Sequence, residues 1–134
     1  MAHKFDVRVY YSDTDAGQIV YHGRYLDFAE HARTELFRLL AQGNTTLMEM
    51  IDNGVGFVVK SINVVYHQVA VLDDLLTVIS TIKNSKRFSL TFLQEVVRND
   101  QAIATLEVKV AAINLNSRRP MPFENWFIEA VGNL

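Results

Sequence analysis

The first forty residues pass from an alternating pattern to a helical one. Between Lys4 and Tyr11 the odd-numbered residues are apolar, which predicts a strand with one buried face. Turn-forming residues from Ser12 to Gly17 end this strand. From Arg24 to Leu40 apolar residues recur every three or four positions, which predicts one long helix. Its predicted buried stripe is Tyr25, Phe28, Ala29, Ala32, Leu36, Leu39 and Leu40, and the intervening polar positions are Asp27, Glu30, Arg33, Thr34 and Arg38.

Beyond the long helix the period of the pattern changes to two. Gln42–Asn44 ends the long helix, and Thr45 opens a short helix that Asn53 and Gly54 close. Four strands rich in Val, Ile, Phe and Thr follow, separated by turn formers. Their predicted bounds are Phe57–Tyr66, Leu75–Lys83, Phe88–Arg98 and Ala102–Asn114, and a terminal helix is predicted over Phe123–Val131, with Pro122 near its first turn.

This order of elements predicts an α+β fold. The strands are joined by short links, of which Asn99-Asp100 suits a tight hairpin, and short links favour an antiparallel sheet. The long helix must bury its apolar stripe against one face of that sheet, so the sheet wraps around the helix. A chain of 134 residues can build one core, and residues 1–134 are predicted to form a single domain. The open edge and partly open face of the sheet predict self-association.

Composition narrows the functional classes. The formal net charge is −2, so no global basic field would draw the protein to nucleic acid or anionic lipid. No apolar run reaches the ~18–20 residues that span a bilayer, and the alternating N-terminus is unlike a signal peptide. We therefore predict no transmembrane segment and a cytoplasmic location. The chain has no cysteine, and its four histidines lack zinc-binding spacing, so we expect no metal and no cofactor separate from the substrate.

The segment from Asp13 to Gly23 is the most unusual part of the sequence. It lies between the first strand and the long helix, where the first backbone N–H groups of the helix have no partner and the helix dipole favours negative charge. A carboxylate there can act as a nucleophile or as a general base on water, while the N–H groups hold an oxyanion. Asp and Thr also shape turns and cap helices in many proteins, so the residues alone leave a structural role open.

Several short motifs together resemble the 4-hydroxybenzoyl-CoA thioesterase family. They are Tyr10–Gly17 (YYSDTDAG), Val20–His22 (VYH), Tyr25, Ala32–Glu35 (ARTE), Phe57–Val59 (FVV) and the Leu72–Asp74 turn. The resemblance extends over nearly the whole chain and is closest to the branch of short acyl-CoA thioesterases encoded beside the Tol-Pal cell-envelope genes. It implies a hot-dog fold, in which an antiparallel sheet wraps one central helix. It also implies an enzyme that hydrolyses acyl thioesters of coenzyme A or of acyl carrier protein.

The resemblance also implies roles for individual residues. Asp15, the second aspartate of the motif, would be the nucleophile or general base, and a backbone amide near His22 would be the oxyanion donor. The imidazole of His22 would orient water, Asp15 or the thioester, and a structural histidine at the helix start is the alternative. The substrate would contact Tyr21, Gly23, Tyr25, Val58 and Val59. In the family the site lies at a dimer interface and two dimers often form a tetramer, so a homodimer or homotetramer is expected.

A basic turn offers a site for the phosphates of coenzyme A. Lys83, Lys86 and Arg87 are three cations within five residues, and such a cluster can bind phosphate through charge and hydrogen bonds. The positions of Lys86 and Arg87 match a basic stretch that contacts the nucleotide in related thioesterases. A solvated hairpin turn is the structural alternative. Arg118-Arg119 is a second candidate phosphate site.

Two other functions remain open at the level of sequence. Hydratases and dehydratases of acyl thioesters share the hot-dog fold and use an Asp and a His for proton transfer at carbon. Asp15 and His22 are seven positions apart, within a motif that matches the thioesterases instead. A non-catalytic acyl-binding protein at the cell envelope is the other alternative, and the complete Asp15 motif argues against it. The sequence does not determine which acyl chain is bound.

Overall fold

A computed structural model describes residues 2–134, and its elements follow the predicted order. The strands are β1 (His3–Arg8), β2 (Val55–Tyr66), β3 (Leu75–Ser85), β4 (Ser89–Arg98) and β5 (Gln101–Asn114). The helices are α1 (Arg24–Ala41), α2 (Leu47–Asp52) and α3 (Asn125–Gly132). Among the described residues, no helix combines the length and the apolar character that crossing a bilayer requires.

The five strands form one antiparallel sheet in the order β1-β3-β4-β5-β2. The β4–β5 hairpin is the tight one that the sequence predicts, because Arg98 pairs with Gln101 across only Asn99 and Asp100. Both linking residues have positive φ, 50° and 64°, as a two-residue hairpin requires. β1 and β2 are the two edges of the sheet, and β2, with 12 residues, is twice as long as β1, with 6.

α1 packs its apolar side against the sheet, and this confirms the predicted α+β arrangement. Three positions on α1 differ from the prediction: Leu39 is 47% exposed, whereas Arg33 and Phe37 are buried. Near the C-terminal end of α1, Phe37 stacks on Phe57 of β2 at 4.6 Å and contacts Phe127 of α3 at 5.8 Å. These contacts turn the buried side of the last helical turns toward β2 and α3, which leaves Leu39 in solvent.

The ends of several elements also differ from the predicted ones; β2 begins at Val55 and β3 extends to Ser85, in each case two residues beyond the predicted end. β1 ends at Arg8 and not at Tyr11, because Asp13 bonds to both backbone groups of Tyr10 and folds the next residues into a short 3-10 turn. Tyr11 is consequently 82% exposed and not part of the buried strand face. α3 begins at Asn125, two residues later than predicted, and β4 begins at Ser89, one residue later.

Candidate active site

The loop that carries Asp15 is a small hairpin in front of α1. Thr14 bridges Val20, the Asp15 N–H donates to the Ile19 carbonyl at 3.0 Å, and the Gln18 N–H donates back to the Asp15 carbonyl at 2.9 Å. Gln18 closes the turn with a φ of 64°. Asp15 therefore lies near the tip of the loop, with its side chain exposed to solvent. Its Oδ1 atom accepts the Gly17 N–H at 2.8 Å, which orients the carboxylate.

Asp13 is in a different environment from Asp15. It is only 5% exposed, and its Oδ1 accepts two hydrogen bonds from the Arg24 guanidinium, at 2.9 Å from Nε and 2.6 Å from Nη2. Its Oδ2 accepts the Tyr10 N–H at 2.9 Å, and its carbonyl accepts the Tyr21 N–H at 2.9 Å. The bond from Asp13 raises the pKa of Arg24, so the cation stays charged. Asp13 thus fastens the motif to the first residue of α1.

The start of α1 presents unpaired backbone donors. Gly23 precedes the helix, and the Leu26 N–H already donates to its carbonyl. Within residues 2–134, the N–H groups of His22 and Gly23 donate to no protein acceptor. They lie where the positive end of the dipole of an 18-residue helix favours a negative charge. A Cβ atom on Gly23 would lie 2.9 Å from the Tyr21 ring, so the missing side chain allows that ring to cover the helix start.

Aromatic side chains surround this helix start. The rings of Tyr21 and His22 lie 4.4 Å apart, and Tyr66 at the end of β2 donates its hydroxyl to the His22 carbonyl at 2.9 Å. Tyr25 is buried against Phe28 and Tyr66, and burial raises the pKa of its hydroxyl. Tyr25 is thereby a packing residue in the single chain, whereas Tyr21 and His22 are exposed. The described part of the chain holds no group of three metal-ligating side chains.

An apolar groove of about 520 Å³ lies at the other end of the molecule. Its walls come from the middle of α1, from α2 and from the first residues of β2. The predicted substrate residues Val58 and Val59 line it, and none of its lining residues comes from the Asp13–Gly23 motif. The lining comprises Glu30, Arg33, Thr34, Phe37, Leu47, Met50, Ile51, Val55, Gly56, Phe57, Val58, Val59, Val110 and Leu115.

The single chain therefore separates the predicted site into two parts. The motif contacts Tyr66 at the C-terminal end of β2, whereas the groove lies beside its N-terminal end. From Val59 to Tyr66 the strand extends by roughly 23 Å at 3.3 Å per residue. Asp15, Tyr21, His22 and Gly23 lie in one loop, but Val58 and Val59 are remote from this loop within one protomer.

Lys86 and Arg87 lie in the β3–β4 turn at the groove end of the sheet. Arg8, just before the motif, pairs with Leu75 at the start of β3, whereas Lys86 follows its last residue. Both cations are exposed, and among the residues that the structure describes neither forms an ion pair. The neighbouring Lys83 differs, because its Nζ lies 3.3 Å from Glu107.

Sequence analysis missed two parts of the site. Tyr66 was not predicted to meet the motif, because only the folded sheet brings the end of β2 to the start of α1. Arg33 was assigned to the polar positions of the helix, yet it is buried and lines the groove. The spacing of Arg33 indicates its burial, because Arg33 lies four residues after Ala29 and four before Phe37. Residues four apart share one face of a helix, and both of these neighbours are buried.

The chain is similar to known thioesterases over most of its length. The family model of the thioesterase-like superfamily matches residues 9–131. The acyl-CoA thioesterase YbgC of Haemophilus influenzae is 44% identical over 119 residues, which cover 89% of this chain and 86% of that protein. The acyl-CoA thioester hydrolase YbgC of Escherichia coli is 37% identical over 118 residues, with coverage of 87% and 86%.

The solved structures include close matches to the whole fold. A probable thioesterase from Bartonella henselae superposes with a TM-score of 0.79 at 28% identity, over 92% of this chain and 98% of that one. The family match covers most of the chain, including the Asp15 loop, α1 and all strands of the sheet after β1. These findings confirm the predicted family, fold and enzyme class, a thioester hydrolase. The chain belongs to the thioesterase-like superfamily of hot-dog-fold proteins.

Proposed function

We propose that the protein hydrolyses acyl-CoA thioesters and that Asp15 is its catalytic carboxylate. The observation that carries this proposal is that one loop holds an exposed carboxylate, oriented by the Gly17 N–H, and leads directly into unpaired N–H groups at the start of α1. The hairpin between Thr14 and Val20 holds the two sides of the motif next to each other. The relatives from H. influenzae and E. coli carry acyl-CoA thioesterase names, which supports the choice of substrate.

The reaction needs an oxyanion site and a base or nucleophile. The thioester carbonyl oxygen accepts hydrogen bonds from the His22 and Gly23 N–H groups, which stabilise the negative charge that develops on it. Asp15 either removes a proton from the attacking water or attacks the carbonyl carbon itself to form a mixed anhydride that water then cleaves. In both routes the C–S bond breaks, the thiolate takes up a proton and the acyl group leaves as a free acid. No further cofactor is required.

A homodimer would unite the two halves of the site. β2 is a long edge strand with Val59 and Val65 exposed, and it can pair with β2 of a second copy. In an antiparallel pairing, the Tyr66 end of one strand lies beside the Val55 end of the other. The Asp15 loop of one protomer then faces the groove of its partner, and the groove takes the acyl chain. Two such dimers would form the expected homotetramer.

The β3–β4 turn would bind the nucleotide part of coenzyme A. Lys86 and Arg87 lie at the groove end of the sheet and are free to contact phosphate. An acyl group on acyl carrier protein presents the same thioester and is the alternative substrate. A cytoplasmic location, expected from the apolar pattern of the sequence, and an association with the Tol-Pal system, expected from the family resemblance, are part of this proposal.

An Asp15→Asn variant tests the catalytic assignment. Asn keeps the oxygen that accepts the Gly17 N–H but cannot act as base or nucleophile, so fold and ligand binding should persist while turnover falls by ~10²–10⁴. Thiol release from a panel of acyl-CoA esters of increasing length measures the effect. Asp73→Asn is the matched control, because Asp73 is also exposed, lies beside the motif through its bond to Val9, and has a φ of 72° that Asn adopts readily.

Three results would contradict the proposal. Parental activity in Asp15→Asn, with equal melting temperature and oligomer size, would mean that Asp15 only shapes the turn. Hydration of an enoyl-CoA without thiol release from a saturated acyl-CoA would identify a hydratase instead. Binding of acyl-CoA with neither reaction would identify an acyl-binding protein.

A further inference from the structure

Arg33 is a buried cation without a carboxylate partner. Only 6% of its surface is exposed, and within the described residues no carboxylate lies within ion-pair distance of its guanidinium. Nη1 donates to Gln94 Oε1 at 2.9 Å, which is the one hydrogen bond that the guanidinium makes in residues 2–134. Burial lowers the pKa of Arg33, and the charge of Glu30 partly offsets this effect. A guanidinium has five N–H donors, so most of its capacity is unused.

The neighbouring amide fixes the position of this guanidinium. Gln94 Nε2 donates to the Ala29 carbonyl and to Ser80 Oγ, both at 2.9 Å. Only the amide nitrogen can donate to a backbone carbonyl, so the Gln94 oxygen has to face Arg33. Gln94 and Ser80 are themselves buried, at 0% and 1% exposure. The chain therefore holds the cation in one place by a buried network that crosses from α1 to β4 and β3.

Arg33 lies in the wall of the groove, and its remaining donors keep contact with solvent. The only fully buried side-chain nitrogen or oxygen without a partner in the described part of the chain is Nδ1 of His3. The other guanidinium nitrogens of Arg33 thus retain some contact with solvent, and Arg33 is a lining residue of the 520 Å³ groove. Glu30 and Thr34 share this wall, but Glu30 is exposed and accepts the Thr34 hydroxyl at 2.8 Å.

We propose that Arg33 binds a carboxylate on the acyl chain, so that the groove selects ω-carboxyacyl thioesters over unsubstituted ones. This inference rests on the proposed function and specifies its substrate class. A purely aliphatic chain would leave the guanidinium donors desolvated and unsatisfied, which costs binding free energy. A carboxylate supplies two acceptor oxygens in the plane of the guanidinium fork and neutralises its charge. The remaining walls of the groove, such as Phe37, Phe57 and Val58, would contact the methylene groups.

Pairs of substrates of equal chain length test the proposal without any mutation. Glutaryl-, adipoyl- and suberoyl-CoA are compared with the corresponding saturated acyl-CoA esters, and kcat/KM is measured for each. The best ω-carboxyacyl ester should exceed its unsubstituted counterpart by roughly 10–100-fold, since a hydrogen-bonded charge pair is worth that factor. Equal values, or a preference for the unsubstituted chain at every length, would overturn the proposal.

Substitution at Arg33 locates the selectivity. Arg33→Met should remove the preference and raise kcat/KM for unsubstituted chains, whereas Arg33→Lys, which keeps the charge without the fork, should retain a reduced preference. Arg38→Met is the matched control, because Arg38 is an exposed residue of α1 paired with Glu35. An unchanged preference in either Arg33 variant would overturn the proposal, so it remains testable if Arg33→Met does not fold.

Binding separates this inference from the proposed function. Calorimetric titration of the Asp15→Asn protein with adipoyl-CoA and hexanoyl-CoA compares the two chains without turnover. Tighter binding of adipoyl-CoA by roughly tenfold or more would support the role of Arg33 even if the parent hydrolyses neither ester. Hydrolysis of hexanoyl-CoA with equal affinities would support the thioesterase and overturn the role of Arg33.

Discussion

Two aspartates of one motif, Asp13 and Asp15, occupy opposite environments. Asp13 is buried and accepts hydrogen bonds from Arg24 and Tyr10, so its carboxylate is saturated with donors. Asp15 is exposed, and within residues 2–134 only its Oδ1 accepts a hydrogen bond. A buried carboxylate whose two oxygens already accept hydrogen bonds cannot approach a substrate. At the scale of residues, this difference favours Asp15 for chemistry and Asp13 for holding the motif.

Replacing Asp13 should therefore destabilise the protein. Asp13→Asn would turn an acceptor of two guanidinium bonds into a neutral amide and should cost about 1–3 kcal/mol of unfolding free energy. Thermal or urea unfolding measures this cost. Asp27→Asn is the control: Asp27 also bonds to Arg24, at 2.9 Å, but the pair is exposed, and we expect a loss below about 1 kcal/mol. Equal losses in the two variants would contradict the structural role of Asp13.

At the scale of elements, turns and strand ends carry the charged groups that matter. The β3–β4 turn presents Lys86 and Arg87 to solvent, whereas Lys83 within β3 is paired with Glu107. At the opposite end of the sheet, Arg98 at the end of β4 bonds to Asp74, just before β3, at 2.7 Å. Lys86 and Arg87 are therefore available to a ligand. The ion pair between Arg98 and Asp74 instead joins two neighbouring strands.

The β3–β4 turn makes a prediction about substrate binding. Lys86→Ala with Arg87→Ala should raise KM for acyl-CoA while changing kcat less, because these residues would contact the nucleotide and not the thioester. Acyl-pantetheine, which lacks the nucleotide, serves as the control substrate and should be hydrolysed equally by parent and variant. An unchanged KM for acyl-CoA would exclude this turn, and Arg118 with Arg119 would be the next pair to replace.

The Asp74–Arg98 pair makes a prediction about pH. Burial alone would raise the pKa of Asp74, but the Val71 N–H and the Arg98 guanidinium outweigh it, so the pKa in the folded state is lowered. The pair should stabilise the protein fully above the unfolded pKa of about 4 and lose this effect as pH falls through the lower folded value. The melting temperature of Asp74→Asn should thus be lower than that of the parent at pH 7. At pH 3 the difference between the two melting temperatures should be smaller.

The control for this pH effect is Asp52→Asn at an exposed position of α2. The difference between its melting temperature and that of the parent should be small and similar at both pH values. If the difference for Asp74→Asn were as large at pH 3 as at pH 7, the ion pair would not be the source of the stability.

At the scale of the whole molecule, the two halves of the site lie at opposite ends of β2. The motif contacts Tyr66, and the groove lies beside Val55. An edge strand of 12 residues also carries unpaired backbone groups along one side. A two-fold axis through this edge would satisfy those groups and complete two equivalent sites at once. Catalysis and assembly are thus coupled in the proposed dimer.

Mixing two inactive variants tests the shared site. Asp15→Asn lacks the carboxylate, and Val58→Trp should fill the groove, so each homodimer should be inactive. A heterodimer keeps one intact site, made of Asp15 from one protomer and the open groove of the other. Co-expression should therefore restore about a quarter of parental activity, because half of the random dimers are heterodimers with one intact site of two. If each site lay within a single chain, co-expression would restore no activity. Light scattering of the active parent protein should show a dimer or larger assembly and no monomer.

The type and order of the elements could be predicted from the sequence, because helical and strand periodicity are local properties of the chain. The sequence also indicates the family through short motifs such as Asp13–Gly17 and Val20–His22, whose function requires particular residues at fixed spacing. The ends of the elements were predicted less well. The first strand was predicted to reach Tyr11, but the buried Asp13 side chain accepts the Tyr10 N–H, and the chain turns there.

The contacts between distant segments could not be predicted and are known from the folded chain alone. The burial of Arg33 depends on Gln94, 61 residues away, and the exposure of Leu39 depends on where Phe57 and Phe127 pack against α1. The separation of Asp15 from Val58 follows from the antiparallel path of β2 along the sheet, which no local pattern records. Periodicity specifies which face of an element is apolar, but the partner that covers this face is set by contacts between residues far apart in the chain.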